Sequence, residues 1–156
     1  MITNELQKIW WDWLSTSERM LRSLHEQTAA IMLRDVERVE KMQPELTRLI
    51  QALRETDDRA VACARGLAEK LGVEPNFRSL VSTLEKEEQR QVQALANRVK
   101  AAAQTVQRVM RKNQTLIENE LAYVAGSLHM LAKTSEDREG DFGQRTHAAV
   151  LLDEKA

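Results

Sequence analysis

The sequence predicts an all-α fold: an elongated antiparallel helical bundle or coiled coil with one very long C-terminal helix and a disordered tail. Apolar residues recur at spacings of three and four through three long stretches, which places them on single helical faces. Gly (5) and Pro (2) are scarce among the 156 residues, so few turns are encoded. Runs of β-branched and aromatic residues bounded by turn residues, the signature of strands, are missing. The length suits one domain, read here as a helical domain over 1–132 followed by a flexible tail over 133–156.

The first helix is expected from about Thr3 to Leu33. Leu6, Ile9, Trp13, Met20, Leu24 and Ile31 form its apolar face. Thr3 or Asn4 supplies a capping oxygen at its start. Ser15 and Glu18 match a capping box, but the apolar spacing carries through them and favours one continuous helix. Asp35 opens the next segment. A short helical turn is expected over Asp35–Met42, with Pro44 starting or kinking the following helix, because an internal proline removes a backbone bond and clashes with the preceding turn. That helix carries Leu46, Leu49, Leu53, Ala60, Ala64, Leu67 and Leu71, and Gly72 stops it. A glycine at this position accepts the left-handed conformation without a Cβ clash.

Asn76 is expected to cap a short helix containing Phe77, Leu80, Val81 and Leu84. Glu85-Lys86-Glu87-Glu88 reads as a solvated turn or helix start, where glutamates suit the macrodipole. The last helix then runs to about Ala132, on the order of 70 Å at about 1.5 Å per residue. Its seam is Val92, Leu95, Val99, Ala102, Val106 and Val109, and it resumes after a stutter near Asn113 as Ile117, Leu121, Val124, Leu128 and Leu131. A helix this long and apolar on one side must lie against other helices or a partner. From Lys133 the composition turns polar, with Phe142-Gly143 and Ala148–Leu152 as apolar islands.

Charge and composition exclude several function classes. The 23 basic and 24 acidic residues are interspersed, for a net charge of −1. A nucleic-acid interface needs a basic excess on one face, so no nucleic-acid partner is expected. A polybasic membrane cluster is missing, and no apolar run approaches the roughly 20 residues that span a bilayer, so no stable membrane insertion is expected. The start Met1-Ile2-Thr3-Asn4-Glu5 does not read as a secretory signal. The single Cys63 makes neither an intramolecular disulfide nor a zinc site by itself. A cytoplasmic protein is expected.

No catalytic constellation emerges, and no enzyme, metal or cofactor is expected. A di-metal carboxylate site in a helical bundle uses Glu-x-x-His pairs, but Arg22 and Gly126 stand three residues before His25 and His129. His25-Glu26-Gln27-Thr28-Ala29 opens like a zinc-peptidase helix, yet Ala29 replaces the second histidine. Cys63 reads as an inert thiol beside the Ala60–Ala64 seam.

Two features point to binding. Trp10, Trp11 and Trp13 are all the tryptophan in the chain. Trp10 and Trp13 share a face suited to core packing, whereas Trp11 points elsewhere; a partner surface that includes all three is the functional alternative, since tryptophan is enriched at hot spots. Asn113, Asn119 and Glu120 interrupt the last helix's seam. They read either as a local register change facing solvent or as a partly polar groove for a partner helix, where polar seam residues set register and partner choice.

The stretch Val106–Leu131, VQRVMRKNQTLIENELAYVAGSLHML, resembles the C-terminal helix of FlgN-type flagellar export chaperones, in which an Asn precedes apolar positions at three-to-four spacing. The glutamate- and leucine-rich opening helix, Asp35 at the next start and the leucine-spaced helix after it are also similar. The resemblance spans roughly residues 5–145. It implies a cytosolic type III export chaperone that binds the C-terminal helices of hook–filament junction proteins and delivers them to the export-gate protein FlhA. On the last helix it implies a client groove of Asn113, Leu116, Ile117, Leu121, Val124 and Leu128. Family members often carry a Tyr-Gly pair in the tail, implicated in gate contact; Phe142-Gly143 stands there, keeping the ring without the hydroxyl, while Tyr123 lies inside the helix. A structural coiled-coil or oligomerisation protein without a client is the alternative. The residues do not decide between monomer and dimer.

Overall fold

The computed structural model describes residues 1–140, with side chains through 137. Four helices follow in order: α1 (Asn4–Met32), α2 (Val36–Leu71), α3 (Phe77–Ser82) and α4 (Lys86–Gly140). Among the described residues there is no strand.

Local chemistry sets most of the boundaries. The Asp35 carboxylate accepts from the Arg38 backbone N–H at 3.1 Å and so caps α2, and Asn76 caps α3 by accepting from the Ser79 N–H at 2.7 Å. Gly72 ends α2 at φ 64°, and the Val73 N–H closes on the Ala68 carbonyl. This is the glycine-centred stop that satisfies carbonyls otherwise orphaned at a helix end. The end of α1 repeats the pattern without glycine. Arg34 takes φ 55°, and the Asp35 N–H reaches the Ala30 carbonyl. A non-glycine residue held there costs roughly 1–2 kcal/mol. Thr3 holds the N-cap position of α1, yet its side chain makes no capping bond; its hydroxyl is engaged by Gln7 and by Glu88.

Pro44 corrects one expectation. It neither starts nor separates a helix: α2 runs through it as 36 continuous residues, absorbing the predicted short turn. The proline deprives the Glu40 carbonyl of its usual partner at a cost of about 3 kcal/mol. Both residues lie on the exposed face, while Leu46 and Leu49 are buried on the other side.

The chain divides into two compact units, Met1–Asn113 and the remainder from Gln114. In the first unit, Leu6 and Ile9 pack with Ala60, Leu67 and Leu80. Trp13 and Leu14 meet Leu95. Met20 and Leu24 pack with Leu46, Leu49, Val106 and Val109. As numbering rises along α1 it falls along α2 and rises along α4. Thus α2 is antiparallel to α1, and the first part of α4 is parallel to it. Each buried leucine in this core contributes about 1.5–3 kcal/mol.

Two polar contacts fix the α1–α4 register. Thr3 meets Glu88 and Thr28 meets Asn113, both at a separation of 85 residues. A constant offset means that the two helices stay in step from one end of α1 to the other.

The second unit is the continuation of α4, which reaches Gly140 rather than ending near Ala132. The remainder of the expected tail, 141–156, lies outside the described residues. No described helix is long and apolar enough to cross a membrane.

Candidate docking site

Beyond Asn113, α4 carries Ile117, Leu121, Val124, Leu128 and Leu131 at spacings of four, three, four and three. Residues three and four apart are neighbours on a helix surface, so these five form one stripe. Leu116 and Ile117 are half-buried. Leu121 is 65% exposed, Val124 50%, Leu128 55% and Leu131 65%; Tyr123 and Met130 are also exposed, on a different face of the helix. An exposed leucine forgoes about 1.5–3 kcal/mol that burial would supply. A contiguous stripe of them therefore holds free energy that only a covering surface can release, and larger apolar patches of this kind mark interaction sites.

Asn113, which the resemblance places in the client groove, stands at the upstream end of that stripe. Its side chain is 2% exposed. The amide nitrogen donates to the Leu24 carbonyl and to Gln27 Oε1, both at 2.9 Å, and Asn113 Oδ1 accepts from the Thr28 hydroxyl at 2.6 Å. Both amide hydrogens are used, and every partner lies on α1. The side chain is turned toward α1. Asn119 is exposed and Glu120 half-buried.

One signal in the sequence could have found this cluster. Met20, Leu24 and Gln27 continue one seam on α1, as Val106, Val109 and Asn113 do on α4. Two polar residues at seam positions of two helices point to each other.

Glu88 escaped the sequence reading. Within the charge run expected to be solvated, it is buried, and its Oε1 accepts from the Thr3 N–H at 2.8 Å and from the Thr3 hydroxyl at 2.5 Å. The α1 start supplies an N–H that no helical carbonyl can take, and a carboxylate is the strongest side-chain acceptor for it.

The three tryptophans are separated. Trp13 is buried against Leu95. Trp10 is half-buried, its ring 6.2 Å from that of Phe77. Only Trp11 offers a surface, half exposed under the Arg98 guanidinium at 4.9 Å. Cys63 is half-buried near the Leu6 cluster. Burial pushes its thiol pKa up, Glu5 adds to the rise and Lys70 opposes it, an environment that suppresses the nucleophilic thiolate. His25 and His129 are exposed, and no group of three His, Cys, Asp or Glu among the described residues could hold a metal ion. Phe142 and Gly143 lie outside the described residues.

Fold and stripe define a class: all-helical proteins in which helices pack around a seam and one helix face stays uncovered. The model of the FlgN protein family matches residues 1–140, so the chain belongs to that family. In general terms it is thereby a flagellar export chaperone, whose partners are flagellar export substrates. No curated protein and no solved structure matches it.

Proposed function

We propose that the chain works in the bacterial cytoplasm, where it holds the C-terminal helices of hook–filament junction proteins on α4 and delivers them to the export-gate protein FlhA. The observation that carries this reading is the stripe that begins at the half-buried Ile117 and continues through the exposed Leu121, Val124, Leu128 and Leu131. A free amphipathic client helix exposes a stripe of the same kind, and docking one on the other buries both. Leu116 flanks the stripe, and Asn113 marks where it begins. The interface is short, as a reversible carrier requires, since small interfaces belong to transient complexes. Phe142-Gly143 is the proposed gate contact, on the strength of the family's Tyr-Gly pair. Trp11, with Arg98 beside it, is the part of the tryptophan cluster free to meet a partner.

The test is co-purification of the full chain with the C-terminal region of a hook–filament junction protein. A stable soluble complex is expected, and failure to form one would overturn the client assignment. The heptad-like spacing of the stripe supports a second reading, in which it pairs with another copy in a structural coiled coil. Self-association persisting in dilute solution without a client would favour that reading.

A further inference from the structure

The buried and exposed stretches of α4 pose a selectivity problem. Leu95, Val106 and Val109 pack against residues of α1, and with the buried Val92 and the intervening Val99 and Ala102 they form an apolar seam at spacings of three and four, like that of the exposed stripe. An amphipathic helix cannot distinguish the two by apolarity. Something else must keep a client from competing with α1 for the upstream seam.

We propose that the Gln27–Thr28–Asn113 cluster is a selectivity device, reserving the upstream seam of α4 for the chain's own α1 and confining an incoming apolar helix to the stretch after Asn113. The proposal rests on the docking reading above for the identity of the incomer.

The chemistry is specific. Asn113 asks its neighbour for a carbonyl, a carboxamide oxygen and a hydroxyl, which Leu24, Gln27 and Thr28 provide. A helix with apolar side chains at positions 27 and 28 would still offer the backbone carbonyl, but would leave one amide hydrogen and the amide oxygen unpaired in a site that is 2% exposed. A buried unsatisfied group weakens association by about tenfold to a hundredfold. At the other end Glu88 asks for an N–H of a first helical turn together with a hydroxyl, both supplied by Thr3. A helix passing continuously through that place has its N–H groups already bonded. The two demands stand at the same 85-residue offset, so a competing helix must match α1 in register at one end and in length at the other. Discrimination then comes from what wrong partners leave unpaired as well as from what the right one gains.

The test uses the full chain and a probe derived from it: a synthetic peptide of residues 3–33 carrying Gln27→Leu and Thr28→Val. Amide exchange in the protein's own α1 is followed with and without excess peptide. In the unaltered protein α1 exchange should not respond. In the Asn113→Leu variant, whose slot now suits the apolar peptide, peptide-dependent exchange of α1 should rise about tenfold or more. Equal responses in the two proteins would overturn the proposal. If Asn113→Leu alone does not fold, the combined Gln27→Leu/Thr28→Val/Asn113→Leu variant leaves no polar group unpaired and carries the same comparison. The probe contains no client sequence. Failure of junction-protein helices to bind would therefore sink the docking reading without altering this result, and the converse also holds.

Discussion

Thr28 and Asn113 stand 85 residues apart in the chain and share a 2.6 Å hydrogen bond, at the same separation as Thr3 and Glu88. The two contacts bracket α1 and hold it in step with α4, and the apolar core fills the space between them. Apolar surfaces tolerate sliding; paired buried polar groups do not, because every slipped register strands a donor or acceptor. Asn113→Ala and Glu88→Ala should each destabilise the protein by about 1–3 kcal/mol. Because they act at opposite ends of α1, the double variant should lose the sum to within about 0.5 kcal/mol. Urea unfolding monitored by circular dichroism measures this, and strong non-additivity would show that the two ends do not act independently.

Pro44→Ala should raise the urea midpoint. The substitution restores an N–H for the Glu40 carbonyl, a gain of up to about 3 kcal/mol, and returns about 0.4–1 kcal/mol of freedom to the unfolded chain. A net gain of about 1–2 kcal/mol is expected from these two terms. A lowered midpoint would mean that α2 depends on the proline's own contacts.

The tryptophans should respond according to burial. Trp13→Ala opens a cavity beside Leu95 and should cost about 3–5 kcal/mol. Trp11→Ala removes an exposed ring and its Arg98 contact, and should cost no more than about 1 kcal/mol. Reversed magnitudes in the same unfolding assay would contradict the assignment of Trp11 to the surface.

Cys63 should alkylate more slowly at neutral pH in the folded protein than in urea, because burial first, and Glu5 second, raise its thiol pKa. Glu5→Gln should speed the folded-state reaction, and Lys70→Gln should slow it. The raised pKa means that the folded state favours the protonated thiol. Its contribution to stability is therefore full below the unfolded thiol's pKa and is lost as pH rises through the folded one. Iodoacetamide kinetics across alkaline pH check both the direction and the two neighbours.

Much of the fold was legible because it is encoded locally. Asp35, Gly72 and Asn76 act where the sequence placed them, since a cap needs only its own turn. The seams of α1 and α4 show directly in the spacing of Leu6, Ile9, Trp13, Met20 and Leu24, and of Val92, Leu95, Val106 and Val109. What could not be read depends on partners far along the chain. Glu88 looked like a solvated charge because Thr3, whose N–H and hydroxyl it accepts, lies 85 residues away. Asn113 looked like a break in a seam because Gln27 and Thr28 were not yet beside it. Pro44 looked like a boundary because its local cost is visible in sequence, whereas the burial of Leu46 and Leu49 that outweighs it is not. In the docking stripe the spacing was legible, and which of its residues the chain itself covers was not.

The central claim is that α4 after Asn113 is a surface for another protein's helix. The direct measurement is the affinity of the full chain for the C-terminal region of a hook–filament junction protein, compared with that of the Leu121→Asp/Leu128→Asp variant. Both leucines are more than half exposed, so helicity should persist and stability should change by no more than about 0.5 kcal/mol per site. Two leucines buried on docking are worth about 3 kcal/mol or more together, so affinity should fall about a hundredfold or further. Undiminished binding by the variant, or its unfolding in the absence of client, would contradict the account.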